Sequence, residues 1–181
     1  MIQKVIAGIP RSGKSTVCKS IINGSNTSYI PFDSIISSFY DNFPDLKISH
    51  FLDSQEVSKK IAPFIKSFTK HIIFEHVNFI IDAYQLYPID VVRNEIAGID
   101  FYFFGYPNAE IDRKLEQIRQ FSTKGSWTDD LSDLDLRNII EKYKNESIIM
   151  KEQCLEYDFP FIDMSSDFTS SLNVAIKTLT S

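Results

Sequence analysis

The stretch Val5–Val17, "VIAGIPRSGKSTV", restricts the fold more than any other part of the chain. It sets Gly8, Gly13, Lys14 and Ser15 in the pattern G-x-x-x-x-G-K-S, with Val5, Ile6 and Ala7 ahead and Val17, Cys18, Ile21 and Ile22 behind. A short apolar run, a glycine turn and then residues at helical spacing read as strand, loop and helix. Such a loop is shaped for phosphate. Glycines bring backbone N–H groups against the anion without a Cβ in the way, and the helix that follows points its positive end at the same place. By average residue usage, a chance match in a chain of 181 residues has a probability of about one per cent. The expected nucleotide-holding residues are Gly8, Pro10, Arg11, Ser12, Gly13, Lys14, Ser15 and Thr16. Lys14 supplies a mobile ammonium for the β- and γ-phosphates, Ser15 a hydroxyl for Mg²⁺, and Thr16 a contact for the α-phosphate. Arg11 has three open readings: a phosphate contact, a cover for an adenine ring, or a solvated side chain. Because it is not glycine, its backbone is expected outside the conformations that only glycine tolerates easily.

The rest of the chain repeats the alternation. Strands are predicted at Lys4–Ala7, Tyr29–Phe32, Asn78–Ile81, Phe101–Phe104 and Phe159–Ile162, each apolar on consecutive residues, as when both faces of a sheet are covered. Helical periods fill Lys14–Asn23, Ser54–His76, Ile89–Ala97, Ala109–Phe121 and Leu131–Tyr157, and a last one runs through Phe168, Leu172, Ala175, Ile176 and Leu179. Parallel strands joined by right-handed crossovers follow from this order. Pro63 falls inside the Ser54–His76 pattern, so that helix is expected to kink or to begin near Ala62. No linker divides the chain, which reads as one domain over residues 1–181.

Bulk properties exclude several classes. A net charge of −5 argues against a broad nucleic-acid face. No apolar run approaches a membrane span and no signal segment is evident, so a cytoplasmic protein is expected. Fifteen Phe and eight Tyr supply a core without disulfides. Cys18 and Cys154 share no metal spacing and read as small core hydrophobes, and His50, His71 and His76 read as structural or surface residues.

Two carboxylates stand at strand ends. Asp82, in "NFIIDAYQLYP", would emerge at the carboxyl edge of the sheet, where it can hold Mg²⁺ opposite Ser15 or cap the next turn. Asp33, in "SYIPFDSII", opens a helix, either as its N-cap or as a general base for an attacking hydroxyl. Two acidic strand ends beside one phosphate loop favour phosphoryl transfer over nucleotide sensing.

In "GIPRSGKST", "PFDS" and "FIIDAYQLYP" the sequence resembles the P-loop small-molecule and nucleotide kinases, a nucleoside monophosphate kinase-like group within the P-loop NTPases. Ala83 stands where that group's D-G-x-P pattern has glycine. The resemblance implies a three-layer α/β fold with a five-stranded parallel sheet ordered 2-3-1-4-5, helices on both faces, and a lid. It implies an acceptor-binding helical region at about 34–76 and a lid region at about 113–137. It further implies ATP and Mg²⁺ as cofactors, a nucleoside triphosphate and a small hydroxyl- or phosphate-bearing acceptor as partners, and catalysis by Lys14, Asp33 and a lid arginine. Arg119 matches that lid place, with Arg113 and Arg137 as alternatives. Trp127 reads either as mobile lid or as an anchor to the core. Ser165 and Ser166 read either as part of an adenine pocket or as a helix N-cap. Phe39, Tyr40, Tyr84, Gln85 and Arg93 lie where the acceptor should bind. The competing functions are a regulatory NTPase without an acceptor and a polynucleotide 5′-hydroxyl kinase module.

Overall fold

The computed structural model describes residues 1–49, 52–122 and 124–180. Five parallel strands form one sheet: β1 (Gln3–Gly8), β2 (Thr27–Pro31), β3 (Asn78–Ala83), β4 (Asp100–Gly105) and β5 (Phe161–Asp163), in the spatial order β2-β3-β1-β4-β5. This is the order expected from the resemblance. Helices α1 (Lys14–Ile22), α2 (Phe32–Asn42), α3 (Ser54–Phe74), α4 (Pro88–Arg93), α5 (Ile111–Phe121), α6 (Asp133–Glu156) and α7 (Phe168–Thr180) connect and cover it.

The consecutive apolar residues of the central strands divide between two cores, as a sheet buried on both faces demands. Val5 and Ala7 of β1, Phe79 and Ile81 of β3, and Phe101 and Phe103 of β4 face Ile36 of α2, Val57, Ile61 and Ile65 of α3, and Leu136, Ile140 and Met150 of α6. Ile6, Ile80 and Phe104 face the other way, onto Val17 and Ile21 of α1 and Ala175 and Leu179 of α7. The three layers follow from that alternation alone. Cys154 belongs to the first core and Cys18 to the second, both as free thiols. Burial pushes the Cys154 thiol up to about 12 and the Cys18 thiol up as well, so neither is a nucleophile at neutral pH.

Two expectations are corrected. Helix α3 does not begin near Ala62 but starts at Ser54 and runs through Pro63 to Phe74. Pro63 and Lys59, whose carbonyl loses its partner, both lie on the exposed side, where water can serve that carbonyl. Asp53 caps the helix, accepting from Gln55 N at 3.0 Å and Glu56 N at 3.3 Å. The second strand ends at Pro31 rather than Phe32, whose ring is instead buried as the first residue of α2. Among the described residues no helix is long and apolar enough to cross a membrane. His71 and His76 are exposed; His50 lies outside the described residues.

Gly8 closes β1 with φ +130°, and a Cβ there would lie 2.1 Å from the Phe104 carbonyl oxygen of the neighbouring strand. Gly8→Ala should therefore lower the free energy of unfolding by about 3 kcal/mol, since both the backbone and the strand contact must yield. Urea denaturation checks this, and an unchanged midpoint would show that the two strands separate freely at that point.

Candidate active site

The loop after β1 is tied down at several points. Ile9 N donates to Phe104 O at 2.9 Å, and the Tyr106 hydroxyl donates to Pro10 O at 3.1 Å. Gly13 precedes α1 in the left-handed region, φ 89°, and offers no side chain to cap the helix. That leaves the first-turn N–H groups directed at the loop, the arrangement that binds phosphate. Ser12 is fully buried, and its hydroxyl has no hydrogen-bond partner among the described residues. Ser15 and Thr16 are exposed. Lys14 is buried and its ammonium donates to Ile9 O at 2.8 Å. Burial lowers its pKa, while the carboxylates of Asp82 and Asp33 act in the opposite direction. The two predicted acids therefore share one electrostatic neighbourhood with the predicted lysine.

Asp82 is buried within β3, and register sets it beside Ile6 of β1 and Pro31 of β2. It accepts a 2.8 Å hydrogen bond from the hydroxyl of Tyr29, which also contacts the Ser15 side chain. Burial and the adjacent Asp82 push the Tyr29 phenol up, so it remains a donor to that carboxylate. Tyr29 thus connects the two residues expected to hold a metal, and no sequence signal pointed to it, since its partner is 53 positions away. Asp33 is exposed at the second position of α2. The N-cap of that helix is Pro31, so the capping alternative for Asp33 is removed.

A cleft of about 180 Å³ opens from the loop between Gly13–Thr16, α5 and Phe168. Phe121 and Phe168 pack together in its lining, their ring centroids 4.9 Å apart, and give it an apolar wall. Lys114, only 2% exposed, also lines this cleft, its ammonium 4.3 Å from the Tyr106 ring centroid. Burial alone pulls its pKa down to about 8. This lysine went unnoticed in the sequence, although a signal existed: with Ile111, Leu115 and Ile118 it occupies the apolar stripe of α5.

The segment after α5 folds back over the loop. The Arg11 guanidinium donates to the hydroxyls of Ser126 and, at 2.8 Å, Thr128, and lies 5.3 Å from the Trp127 ring centroid. Its backbone is in the left-handed region at φ 60°, contrary to expectation. Contacts of the side chain with Ser126, Thr128 and Trp127 offset the strain that a non-glycine residue carries there. Trp127 is about half exposed, so it covers the loop rather than anchoring in the core. Arg119 donates to Thr128 O at 2.8 Å, Leu131 O at 2.7 Å and Asp133 Oδ1 at 2.8 Å. Arg137 pairs with Asp112. Ser165 accepts from Asn108 N at 3.0 Å and joins the loops after β4 and β5, while Asp167, not Ser165 or Ser166, receives the Ser170 N–H at the start of α7.

No protein-family model matches the chain, and no curated protein sequence is similar to it. Solved structures share its fold. A shikimate kinase from Bacteroides thetaiotaomicron matches with a TM-score of 0.60 at 14% identity, over 99% of this chain and 96% of that one. A gluconokinase from Sinorhizobium meliloti matches at 0.58 and 13%, over 99% and 91%. A sugar kinase from a Janibacter species matches at 0.56 and 16%, over 99% and 95%. The fold is that of small-molecule kinases, in agreement with the resemblance read from the phosphate loop.

Arg119→Ala removes two anchors of the segment from Gly125 to Leu131, those at the Thr128 and Leu131 carbonyls. Its amides should exchange with solvent at least tenfold faster in hydrogen-exchange measurements, with the β-sheet core unchanged. Equal protection in the variant would mean that Arg11 alone holds the segment.

Proposed function

We propose that the protein is an ATP- and Mg²⁺-dependent phosphotransferase acting on a small-molecule acceptor. The observation that carries this reading is the convergence at one sheet edge of the glycine-shaped phosphate loop, a buried Lys14, and the carboxylates of Asp33 and Asp82. The names of the structural neighbours, kinases of shikimate, gluconate and sugar, support the same reaction class.

The residues fit the expected cofactors. The orphaned hydroxyl of Ser12, the uncapped start of α1 and the Lys14 ammonium supply donors for phosphate oxygens. Arg11, Lys114 and the Phe121–Phe168 wall give the adjoining cleft cations for phosphates and an apolar surface for a base. Ser15 and Asp82, connected through Tyr29, are the residues that would hold Mg²⁺, which neutralises charge on the phosphates when bound.

Transfer is an in-line displacement. The acceptor oxygen forms a bond to the γ-phosphorus, the bond from that phosphorus to the β,γ-bridging oxygen breaks, and ADP leaves. Asp33 takes the acceptor's proton. Lys14, released from Ile9 O, follows the charge that spreads over the transferring group. Arg119 serves as the lid arginine through the segment it orders, which sets Arg11 and Trp127 over the loop.

Two measurements test the assignment. Lys14→Ala should lower ATP turnover in the presence of an acceptor by at least a hundredfold. Asp33→Asn should cut transfer to a similar degree and leave ATP affinity within about threefold, as fluorescence of the sole tryptophan, Trp127, reports. A fully active Asp33→Asn enzyme would remove the base from the proposal.

Lys114 sets a pH dependence. Its folded-state pKa of about 8 lies below the ordinary lysine value, so it is charged below pH 8 and loses its proton above. A bound polyanion favours the charged form. Nucleotide affinity should therefore be greatest below pH 8 and fall roughly tenfold as pH rises beyond it. The Lys114→Gln variant should show a flat profile by the same fluorescence titration.

A further inference from the structure

On the other side of the phosphate loop from the nucleotide cleft, the same sheet edge carries a buried polar group of different character. It is built from Ser54 at the start of α3, Tyr84, Gln85 and Tyr87 after β3, and Tyr143 and Glu146 on α6. Tyr106 joins it to the phosphate loop: its hydroxyl bonds Pro10 O, and its ring lies in the electrostatic field of Tyr143, Glu146 and Tyr84.

Gln85 is the anomaly. It is 1% exposed, its backbone takes the left-handed φ of 61°, and neither amide atom has a hydrogen-bond partner among the described residues. The Tyr84 hydroxyl lies close to that amide. Leaving both ends of a buried amide unsatisfied is costly, since neither regains the hydrogen bonds it had with water. The loop is nevertheless held firmly in this shape, because Ser58 accepts from Tyr87 N at 2.9 Å and donates to the buried carboxylate of Asp90. A side chain fixed at such cost is explained by a ligand that supplies one donor and one acceptor together, as hydroxyl groups do.

The charges narrow the class. Glu146 is 8% exposed and accepts from Ser54 Oγ at 3.1 and 3.2 Å, with the Tyr87 hydroxyl at 3.5 Å. Burial pushes its carboxyl up, away from full ionisation. Asp53 adds negative potential on this side. The cations that border the group are already engaged: Lys142, exposed at the rim, stands 3.7 Å from Glu146, and Arg11 is bound to Ser126 and Thr128. A carboxylate or phosphate on the acceptor would meet Glu146 and Asp53, and the two cations named here already have partners among the described residues. Hydroxyls would find a planar amide, a carboxyl and tyrosine hydroxyls, all able to grip adjacent O–H groups, with aromatic faces for the C–H surface.

Resting on the kinase reading above, we infer that the phosphoryl acceptor is an uncharged polyhydroxylated molecule, held by Gln85 and Glu146. The anionic hydroxy acids and phosphorylated compounds are thereby excluded.

The test is a panel of ribose, glucose, glycerol and myo-inositol against gluconate, quinate, glucose 6-phosphate and glucosamine. ATP turnover is read for each, and binding of each is measured by calorimetry with a non-hydrolysable ATP analogue present. At least one neutral polyol should stimulate turnover tenfold or more, and the charged compounds should not. For that polyol, Gln85→Leu and Glu146→Gln should each raise KM at least tenfold while the KM for ATP stays within twofold. Circular dichroism and Trp127 fluorescence confirm folding, and Gln85→Asn, which keeps the amide, should recover part of the loss. Stimulation by the hydroxy acids, the phosphate ester or the amine alone overturns the inference and leaves the kinase reading standing. Unchanged acceptor KM values in both variants also overturn it. If no member of the panel is bound or stimulates turnover, the inference is overturned, while the kinase reading is decided separately by Lys14→Ala and Asp33→Asn.

Discussion

The contact of Gly8 with β4 is the constraint on which the site depends. A glycine with φ +130° lets the end of β1 press against the Phe104 carbonyl, and the next residue, Ile9, donates its N–H to that same oxygen. The loop that follows is therefore referenced to the sheet rather than hanging from one strand. Tyr106, two residues beyond Phe104, adds a second tie through Pro10. Lys14, Asp82 and the start of α1 keep their relation because each is built on one of the paired strands β1, β3 or β4, or follows one directly.

From that reference point the charges separate. Arg11, Lys14 and Lys114 lie along the cleft against α5, and Asp33, Asp82 and Glu146 lie toward β2, β3 and α6. On the proposed reading, one side suits a triphosphate and the other a neutral partner whose proton is to be removed. Burial sharpens both halves. It lowers the ammonium pKa values of Lys14 and Lys114, so that each cation gains by meeting an anion. It raises the carboxyl of Glu146, which suits that group to hydrogen bonding with hydroxyls.

The segment from Gly125 to Leu131 couples these parts. Arg11 reaches it from the phosphate loop and Arg119 from α5, and they meet at Thr128, one through its hydroxyl and one through its carbonyl. A change at the loop is thus felt by Trp127. The strained backbone of Arg11 is the cost of this connection, and a glycine at that position would relieve the strain but have no side chain to reach that segment.

Local chemistry made much of this legible in the sequence. The spacing of Gly8, Gly13, Lys14 and Ser15 pointed to a phosphate loop, because such a loop needs those residue types at fixed covalent separations. Consecutive apolar residues in β1, β3 and β4 announced a sheet covered on both faces. What lay beyond reach of the sequence depends on groups brought together from distant positions. Tyr29 bonds Asp82, Ser54 bonds Glu146, and Arg11 bonds Thr128 only after the strands are ordered and the helices docked. The positive φ of Arg11 could not be foreseen, since its compensation comes from residues more than a hundred positions away. The sequence by itself determined the residue types of the loop after β1 and the kind of scaffold that carries it. Tertiary structure decided which buried groups are left without partners, as at Gln85 and Ser12, because satisfaction of a polar group is a property of its neighbours and not of the residue.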